Sequence, residues 1–309
     1  MRIAVPDLVS NSYFPVIAAA ELGLFKAEKL DVTIELMSPL RDCVSALKEG
    51  HVSFIGASAH APLLAFPDWH GAKLLCAQAQ GMYWYLVMRK DLGIERGDLA
   101  ALKGRRIAAV PFVGQALEEL LKIGGMDPQR DGIDIMVPEE ARKPGTNFGM
   151  AAAEALRSGT IDGFFANGMG AEVAVDTGIG DIVLDVRRGD GPAECFNYTL
   201  GAVATTDRVI KDTPDAAAAV IRAIRKSQQI LKADPTRATH IGHRLFPERE
   251  AALIAQVIAR DIPYYDPSIS PDFVQSMNGY CRRVGLLSKD VAYDDVVATQ
   301  FRDLWTAAI

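Results

Sequence analysis

The sequence repeats one order of elements about a hundred residues apart. Its two pairs of matching segments are residues 2–6 (RIAVP) with 106–111 (RIAAVP), and residues 46–53 (ALKEGHVS) with 155–162 (ALRSGTID). A helix that ends in Gly is common by itself, because glycine readily takes the left-handed conformation at that position. Two matched elements in the same order, with a helical stretch and a β-like run between them, instead favour two similar α/β lobes. Such alternation of strands and helices is typical of parallel sheets covered by helices.

The repeat also predicts how the chain is divided between the lobes. A strand-like run at residues 85–88 leads into the second lobe, and another at residues 198–204 leaves it. We therefore expect lobe one to comprise residues 1–87 and 203–309, with lobe two, residues 88–202, inserted within it. The two crossing strands would form a hinge. Because open α/β sheets bind ligands at the carboxyl ends of their strands, we expect a ligand between the lobes.

Composition excludes several classes of protein. The chain has 309 residues, of which 49% are hydrophobic and 23% charged, as in an ordinary globular protein and unlike a disordered one. The formal net charge is −6 and there is no basic run, so we expect no nucleic-acid partner. The four cysteines are far apart, and no apolar run approaches the ~20 residues of a spanning helix. We therefore expect no metal, no cofactor and no membrane insertion.

The amino-terminal residues leave the compartment open. Met1 and Arg2 lead directly into a strand-like run, and no apolar core of a secretory signal precedes it. We expect a periplasmic protein if a signal peptide has been trimmed from this chain. We expect a cytoplasmic protein if Met1 is the native start.

Four segments carry a resemblance to a known family. They are residues 18–25 (AAAELGLF), 50–56 (GHVSFIG), 99–108 (LAALKGRRIA) and 159–163 (GTIDG). In this order and spacing the chain resembles the substrate-binding proteins of nitrate/sulfonate/taurine-type ABC importers, including binders of thiamine-pyrimidine precursors. The resemblance implies a two-lobed, type II periplasmic-binding-protein fold of the α/β class. Each lobe would be a mixed sheet flanked by helices, with a two-strand hinge, and an ABC permease would be the partner of an exported chain.

A second branch of the same superfamily contains enzymes, among them thiamine-pathway pyrimidine synthases and an aromatic sulfinate desulfinase. The synthase pattern has a histidine after the third strand and a cysteine-rich loop before the returning hinge strand. His60 and Cys195 fall in similar places. However, Asn197 and Tyr198 stand where the pattern has further cysteines, and no lysine lies near His60. This departure from the pattern counts against synthase chemistry.

Ten residues in the loops that follow or precede strands are the candidate ligand contacts. They are Asn11, Tyr13, Ser58, His60, Tyr83, Trp84, Gln115, Asn147, Asn167 and Asn197. Several have a purely structural alternative. Ser58 could cap a helix, His60 could be a buried histidine satisfied by its neighbours, and the Tyr83–Trp84 pair could belong to the core. Asn197 could lie in a hinge strand whose side chains only pack.

These side chains are amides, hydroxyls, one imidazole and aromatic rings, which favour an aromatic or heterocyclic ligand. Arg142 and Lys143 are the only cations that we expect nearby, in a solvated loop, and a small anion held by helix N-termini is the second candidate. His240 and His243 lie one helical turn apart without a third metal ligand close in sequence, and we find no catalytic residues. Together with the resemblance, these residues predict a solute-binding protein of an ABC-type importer. The alternative is a cytoplasmic enzyme or ligand sensor on the same scaffold.

Overall fold

The computed structural model describes residues 1–142 and 146–306. The chain forms two compact units. Unit 1 comprises Met1–Gly81 and Asn197–Ile309, and unit 2 comprises Met82–Phe196. The contiguous unit 2 is thus inserted in unit 1. Both crossings lie a few residues before the domain boundaries expected from the sequence.

Ten strands and twelve α-helices form the two units within the described residues. The strands are β1 Arg2–Val5, β2 Thr33–Leu36, β3 Phe54–Ser58, β4 Ala72–Ala79, β5 Tyr85–Arg89, β6 Arg106–Ala108, β7 Asp134–Met136, β8 Gly163–Ala166, β9 Gly180–Leu184 and β10 Gly201–Thr206. The helices are α1 Phe14–Glu21, α2 Leu24–Ala27, α3 Leu40–Glu49, α4 Pro111–Ile123, α5 Phe148–Ser158, α6 Gly168–Asp176, α7 Asp207–Asp212, α8 Pro214–Ala233, α9 Arg237–Leu245, α10 Glu248–Asp261, α11 Pro271–Arg283 and α12 Tyr293–Val296.

Short 3₁₀ helices occupy several connections. They are Asn11–Tyr13, Ala61–Leu64, Pro67–Trp69, Lys90–Leu92, Ala100–Leu102, Glu139–Arg142, Val186–Arg188, Ala193–Asn197, Ile262–Tyr264 and Thr299–Trp305. No helix among the described residues combines the length and apolar character needed to cross a bilayer.

Each unit is built on a five-stranded mixed sheet, and the two sheets share one topology. The strand order is β2-β1-β3-β10-β4 in unit 1 and β7-β6-β8-β5-β9 in unit 2. In unit 1, β1 is parallel to β2 and β3, whereas β10 is antiparallel to both of its neighbours. In unit 2, β6 is parallel to β7 and β8, and β5 is antiparallel to β8 and β9. The predicted fold class of two mixed α/β sheets is confirmed.

In each sheet, one antiparallel strand lies between two strands that follow one another in the chain. We call the position between these two strands the slot and the strand that occupies it the slot strand. In unit 1, β10 lies between β3 and β4, and Gly201 is paired with Ser58. In unit 2, β5 lies between β8 and β9, and Tyr85 is paired with Ala166. Both slot strands directly follow a crossing of the chain from one unit to the other.

The internal repeat is confirmed at the ends of α3 and α5. Gly50 and Gly159 follow these helices with φ angles of 79° and 77°, in the left-handed region. The backbone N–H of each following residue, His51 and Thr160, returns to a carbonyl in the preceding helical turn. Glycine is favoured at both positions because a Cβ atom makes this backbone conformation unfavourable.

A two-point ion pair fixes the start of the unit 2 sheet. Asp162, just before β8, accepts hydrogen bonds from the backbone N–H of Arg106 at 2.9 Å and from its guanidinium at 2.9 and 3.1 Å. The hydrogen bonds from Arg106 lower the pKa of the Asp162 carboxyl. Arg2 and Ser53 hold the matching places in unit 1, where Arg2 pairs with Glu35 on β2 instead.

Helix α8 contributes to the core of unit 1. It packs against α1 and β4, and it buries Val220, Ile221 and Ile224 among other side chains.

The free edge of β4 is covered by the carboxyl-terminal segment, where the Ala298 N–H donates to the Leu74 carbonyl. The Trp305 indole N–H donates to the carbonyl of Leu75 at 3.0 Å. These contacts protect the edge strand from pairing with another chain.

The bounds of two strands differ from the sequence-based expectation. Strand β10 begins at Gly201, where the strand-like run was expected from residue 198, and β5 ends at Arg89, where residue 88 was expected. Tyr198 has a strand-forming side chain, but it precedes the hydrogen-bonded ladder of β10.

Candidate functional site

Polar and aromatic side chains gather at one edge of the unit 1 sheet. The carboxyl ends of the parallel strands β1 and β3 lie at this edge, and so does the amino end of the antiparallel β10. We call one set of residues at this place the unit 1 edge. These residues adjoin the strand ends or lie on two helices that reach them: Asn11, Ser12, Tyr13, Ser58, His60, Tyr198, Thr199, Asp261 and Tyr280. All nine are buried.

His60 is fully buried at this edge. Its Nδ1 is 2.9 Å from the hydroxyl oxygen of Thr199, and its ring meets the ring of Tyr280 edge-on at 5.3 Å. Burial lowers the pKa of His60 to about 3, because the charged imidazolium would lose its hydration. The imidazole is therefore neutral at physiological pH.

A stack of aromatic rings adjoins His60. The rings of Tyr198 and Tyr280 lie 4.6 Å apart with an angle of 13° between their planes. The guanidinium of Arg283 lies 5.3 Å from the centroid of Tyr198, within the range of a cation–π interaction. Tyr280 and Arg283 both belong to α11, so this helix supplies one side of the ring cluster.

Asn11 is held by a carboxylate from a distant part of the chain. Its amide nitrogen donates to both carboxyl oxygens of Asp261, the last residue of α10, at 2.8 Å each. Because only the NH₂ group can donate to a carboxylate, this pair sets which way the amide points.

Side chains of other elements form hydrogen bonds with the backbone at the start of α1. Gln78 on β4 accepts the Val16 N–H at 3.1 Å and donates to the Ala202 carbonyl at 3.1 Å. Ser227 of α8 donates to the carbonyl of Pro15 at 2.7 Å. Gln78 therefore caps the first turn of α1, and through it the preceding residues of the unit 1 edge are tied to the sheet.

The matching edge of the unit 2 sheet carries a second ring cluster. The Tyr83 and Trp84 rings, just before β5, lie 5.2 Å apart, and Trp84 meets the ring of Phe165 at 6.0 Å. The guanidinium of Arg187, which follows β9, lies 5.8 Å from the centroid of Tyr83. Trp84 is 3% exposed and Arg187 is 7% exposed. We name these residues, with Asn147 and Asn167, the unit 2 edge.

Helices α4, α5 and α6 begin at the unit 2 edge, after β6, β7 and β8 respectively. Asn147 caps α5, because its side-chain oxygen accepts the Met150 N–H at 3.0 Å. Asn167 is the N-cap residue of α6. The partial positive charge of a helix start favours an anionic group. The unit 2 edge therefore suits an anion better than the unit 1 edge does.

Glycines allow the starts of α5 and α6 to approach closely. A Cβ atom on Gly170 of α6 would lie 2.6 Å from the carbonyl oxygen of Gly149 in α5. We expect Gly170→Ala to lower the free energy of unfolding by about 1–3 kcal/mol, since rigid backbone would have to move. Gly279→Ala is the matched control in α11, where a Cβ meets only ordinary contacts. This control should raise the free energy of unfolding by about 0.5–1 kcal/mol. Urea titrations followed by circular dichroism compare the two; equal effects would contradict the close approach of the helices.

The structure brings most of the predicted contact residues to the two edges. Asn11, Tyr13, Ser58 and His60 lie at the unit 1 edge, and Tyr83, Trp84, Asn147 and Asn167 lie at the unit 2 edge. Two residues are placed differently. Gln115 is exposed on the second turn of α4, and Asn197 is partly exposed at the end of the 3₁₀ helix Ala193–Asn197.

The expectation about cations was wrong. Arg187 lies against Tyr83 at the unit 2 edge, and Arg283 lies against Tyr198 at the unit 1 edge. Arg142 is exposed, and its guanidinium donates to the carbonyl of Val137. Lys143 lies outside the described residues. Arginine and aromatic side chains from remote segments come together only in the fold, so proximity along the sequence did not reveal them.

The sequence-based candidates also omitted Asp261, Tyr280 and Thr199. Asp261 and Tyr280 come from α10 and α11, far along the chain from the strands of the repeat. An acidic residue at the carboxyl end of an amphipathic helix was one available signal, because a helix end disfavours a negative charge there. Within residues 1–142 and 146–306, no group of three or more His, Cys, Asp or Glu side chains could hold a metal ion.

Solved structures share this fold at low sequence identity. The alkanesulfonate-binding protein SsuA from Xanthomonas axonopodis pv. citri, solved with MOPS bound, superposes with a TM-score of 0.70 at 16% identity, covering 96% of this chain and 97% of that one. The periplasmic nitrate-binding protein NrtA from Synechocystis PCC 6803 superposes with a TM-score of 0.70 at 15% identity, covering 98% and 86%. These matches confirm the periplasmic-binding-protein fold.

Sequence comparison assigns the family. A curated relative, the 4-amino-5-hydroxymethyl-2-methylpyrimidine phosphate synthase THI13 from Saccharomyces cerevisiae, is 24% identical over 298 residues, covering 90% of this chain and 81% of the relative. The same scaffold thus serves both solute-binding proteins and an enzyme. The profile of the family described as NMT1/THI5 like matches residues 10–238, well over half of the sequence. The chain belongs to the NMT1/THI5-like family.

Proposed function

We propose that this chain is a solute-binding protein that captures a small aromatic or heterocyclic molecule for an ABC-type importer. The observation that carries the proposal is the presence of a ring cluster in each unit, at the edge of the sheet where open α/β sheets bind ligands. Tyr198 and Tyr280 form the first cluster beside His60, and Tyr83 and Trp84 form the second beside Arg187. Tyrosine and tryptophan suit such a wall because each joins a large apolar face to a polar end.

The polar groups of each edge favour a particular kind of ligand atom. The unit 1 edge carries a neutral imidazole, an amide and hydroxyls, which suit the hydrogen-bonding atoms of a heterocycle. The unit 2 edge carries the starts of α4, α5 and α6, whose partial positive charge suits a negative group. We therefore propose a ring-bearing molecule, with an attached anionic group as an accepted variation. A small inorganic anion is the second candidate ligand.

The molecules in the names of the relatives agree with this class of ligand. SsuA was solved with MOPS, NrtA is named for nitrate, and THI13 is named for a pyrimidine phosphate. Two of these three molecules join a ring to an anionic group.

The second candidate function is an enzyme or ligand sensor on the same scaffold, favoured by the placement of His60 after β3. Acid–base catalysis works best when the pKa of the catalytic group lies near the working pH. The pKa of His60, lowered to about 3, makes this imidazole a weak base at neutral pH. The lowered pKa of His60 therefore favours a role in ligand orientation over a role in proton transfer.

The proposed location follows from the proposed function. We propose a periplasmic location, because a solute must be captured before an importer moves it into the cell. Recovery of the protein from the cytoplasm would instead favour the enzyme or sensor. Fractionation of the cells separates the two.

A ligand screen tests the proposed function. Native mass spectrometry of protein purified without added ligand should reveal a bound small molecule. Thermal unfolding is then measured with 4-amino-5-hydroxymethyl-2-methylpyrimidine, its phosphate, MOPS, an aromatic sulfinate and nitrate. A binder at one hundred times its Kd stabilises the folded state by about 2.7 kcal/mol, which should raise the Tm by several degrees.

The same screen distinguishes the two functions. A solute-binding protein returns its ligand unchanged after incubation, as judged by mass spectrometry of the small molecule. A converted product, or a covalent change on His60, would contradict the transport proposal and favour an enzyme. Absence of any bound molecule and of any shift in Tm would contradict both.

A further inference from the structure

Ser12 is a fully buried residue of the unit 1 edge whose hydroxyl oxygen has no hydrogen-bond partner among the residues that the structure describes. A buried polar group in this state destabilises a protein unless a ligand or another group satisfies it. Such an atom is a candidate ligand contact, because a bound ligand can supply the hydrogen bond that the folded protein does not.

The backbone fixes Ser12 in place. Its N–H donates to the hydroxyl of Ser10 at 3.3 Å, which caps the 3₁₀ helix Asn11–Tyr13. A Cβ atom on Gly201, the first residue of β10, would lie 2.6 Å from the Ser12 carbonyl oxygen. The close approach to Gly201 holds the Ser12 backbone against the slot strand, so the side chain cannot leave the edge without a movement of the main chain.

Neighbouring polar groups are engaged with the protein. Asn11 donates to Asp261, the Nδ1 of His60 meets Thr199, and Gln78 bridges Val16 and Ala202. These contacts order the polar surroundings of Ser12.

We infer that the Ser12 hydroxyl is a specificity-determining contact, which hydrogen-bonds a polar atom of the captured ring compound, such as a ring nitrogen, an exocyclic amino group or a carbonyl oxygen. The inference rests on the proposed function and deepens it. A serine hydroxyl both donates and accepts, so it matches any of these atoms. The oxygen is covered by neighbouring atoms, and contact therefore requires a local movement of the edge.

Ser12→Ala tests the inference because stability and binding should change in different directions. Removing an unsatisfied buried hydroxyl should leave the urea midpoint unchanged or raise it. The affinity for the panel compound that shifts the wild-type Tm most should fall about five- to tenfold, the value of one neutral hydrogen bond. Isothermal titration calorimetry measures the affinity, and urea unfolding measures the stability.

Ser10→Ala is the matched control, two residues before Ser12. It removes the hydroxyl that caps the Ser12 N–H, so its urea midpoint should fall while its affinity changes less than that of Ser12→Ala. If Ser12→Ala binds the panel compound within twofold of the wild type, the inference fails and the proposed function stands. If its urea midpoint falls as in Ser10→Ala, the hydroxyl has a structural role and the inference also fails. If the wild type binds no panel compound, the proposed function fails and the inference falls with it.

Discussion

Trp84→Ala should lower the free energy of unfolding by about 3–5 kcal/mol, the usual effect of truncating a buried aromatic side chain. Trp84 is 3% exposed and packs against the rings of Tyr83 and Phe165. If its ring also forms a wall of the ligand site, the remaining folded protein should lose about 1–3 kcal/mol of binding free energy. Urea unfolding measures the first quantity, and calorimetric titration with the panel compound identified by the screen measures the second.

Fluorescence provides the control for this variant. The chain has three tryptophans, so ligand-dependent emission that disappears in Trp84→Phe but persists in Trp305→Phe is assigned to Trp84. Trp84→Phe keeps an aromatic ring and should recover much of the stability. If Trp84→Ala unfolds readily while its folded fraction binds with wild-type affinity, Trp84 belongs to the core alone.

The stability of the protein should fall between about pH 6.5 and pH 3 through His60. Burial lowers the pKa of His60 to about 3 in the folded state, against about 6.5 in an unfolded chain. In this pH window the unfolded state binds a proton that the folded state does not bind. The contribution of His60 to the free energy of unfolding is therefore complete above the unfolded-state pKa and is lost as the pH falls. From pH 8 to pH 5 the expected loss is about 2 kcal/mol.

His60→Gln should remove this part of the pH dependence. Urea unfolding of the wild type and the variant at pH 8 and pH 5 gives the comparison, and the difference between them isolates His60 from the other titrating groups. His243→Gln is the matched control, because His243 is exposed on α9 and should leave the wild-type pH dependence intact. Identical pH profiles for the wild type and His60→Gln would contradict a neutral, buried imidazole.

The parts of the fold that depend on a short segment of sequence could be predicted. The helix ends at Gly50 and Gly159 depend on local backbone conformation, so the same residue pattern marks both. Strand bounds were less predictable. Tyr198 has a strand-forming side chain but stacks on Tyr280 before β10 begins, because tertiary packing decides where the ladder starts.

The candidate site was predicted where its residues follow strands of the repeat, as His60 and Trp84 do. It was missed where a contact joins distant segments. Asn11 and Asp261 are 250 residues apart, and Arg187 reaches Tyr83 only because β9 and β5 are neighbours in the sheet. Such pairings depend on strand order and helix packing, which the amphipathic pattern of a single helix does not specify.

The slot in the unit 1 sheet has a consequence for the order of events during synthesis. All five strands of unit 2 lie within Met82–Phe196, so its sheet can close as soon as that segment has left the ribosome. The unit 1 sheet cannot close then, because β3 and β4 are separated by a strand that is translated later. Until β10 emerges, the facing edges of β3 and β4 lack the hydrogen bonds of their native neighbour, and unpaired edges invite association with other chains. The inserted unit therefore matures first, and the nascent amino-terminal strands are the part of the chain that chaperones would have to shield.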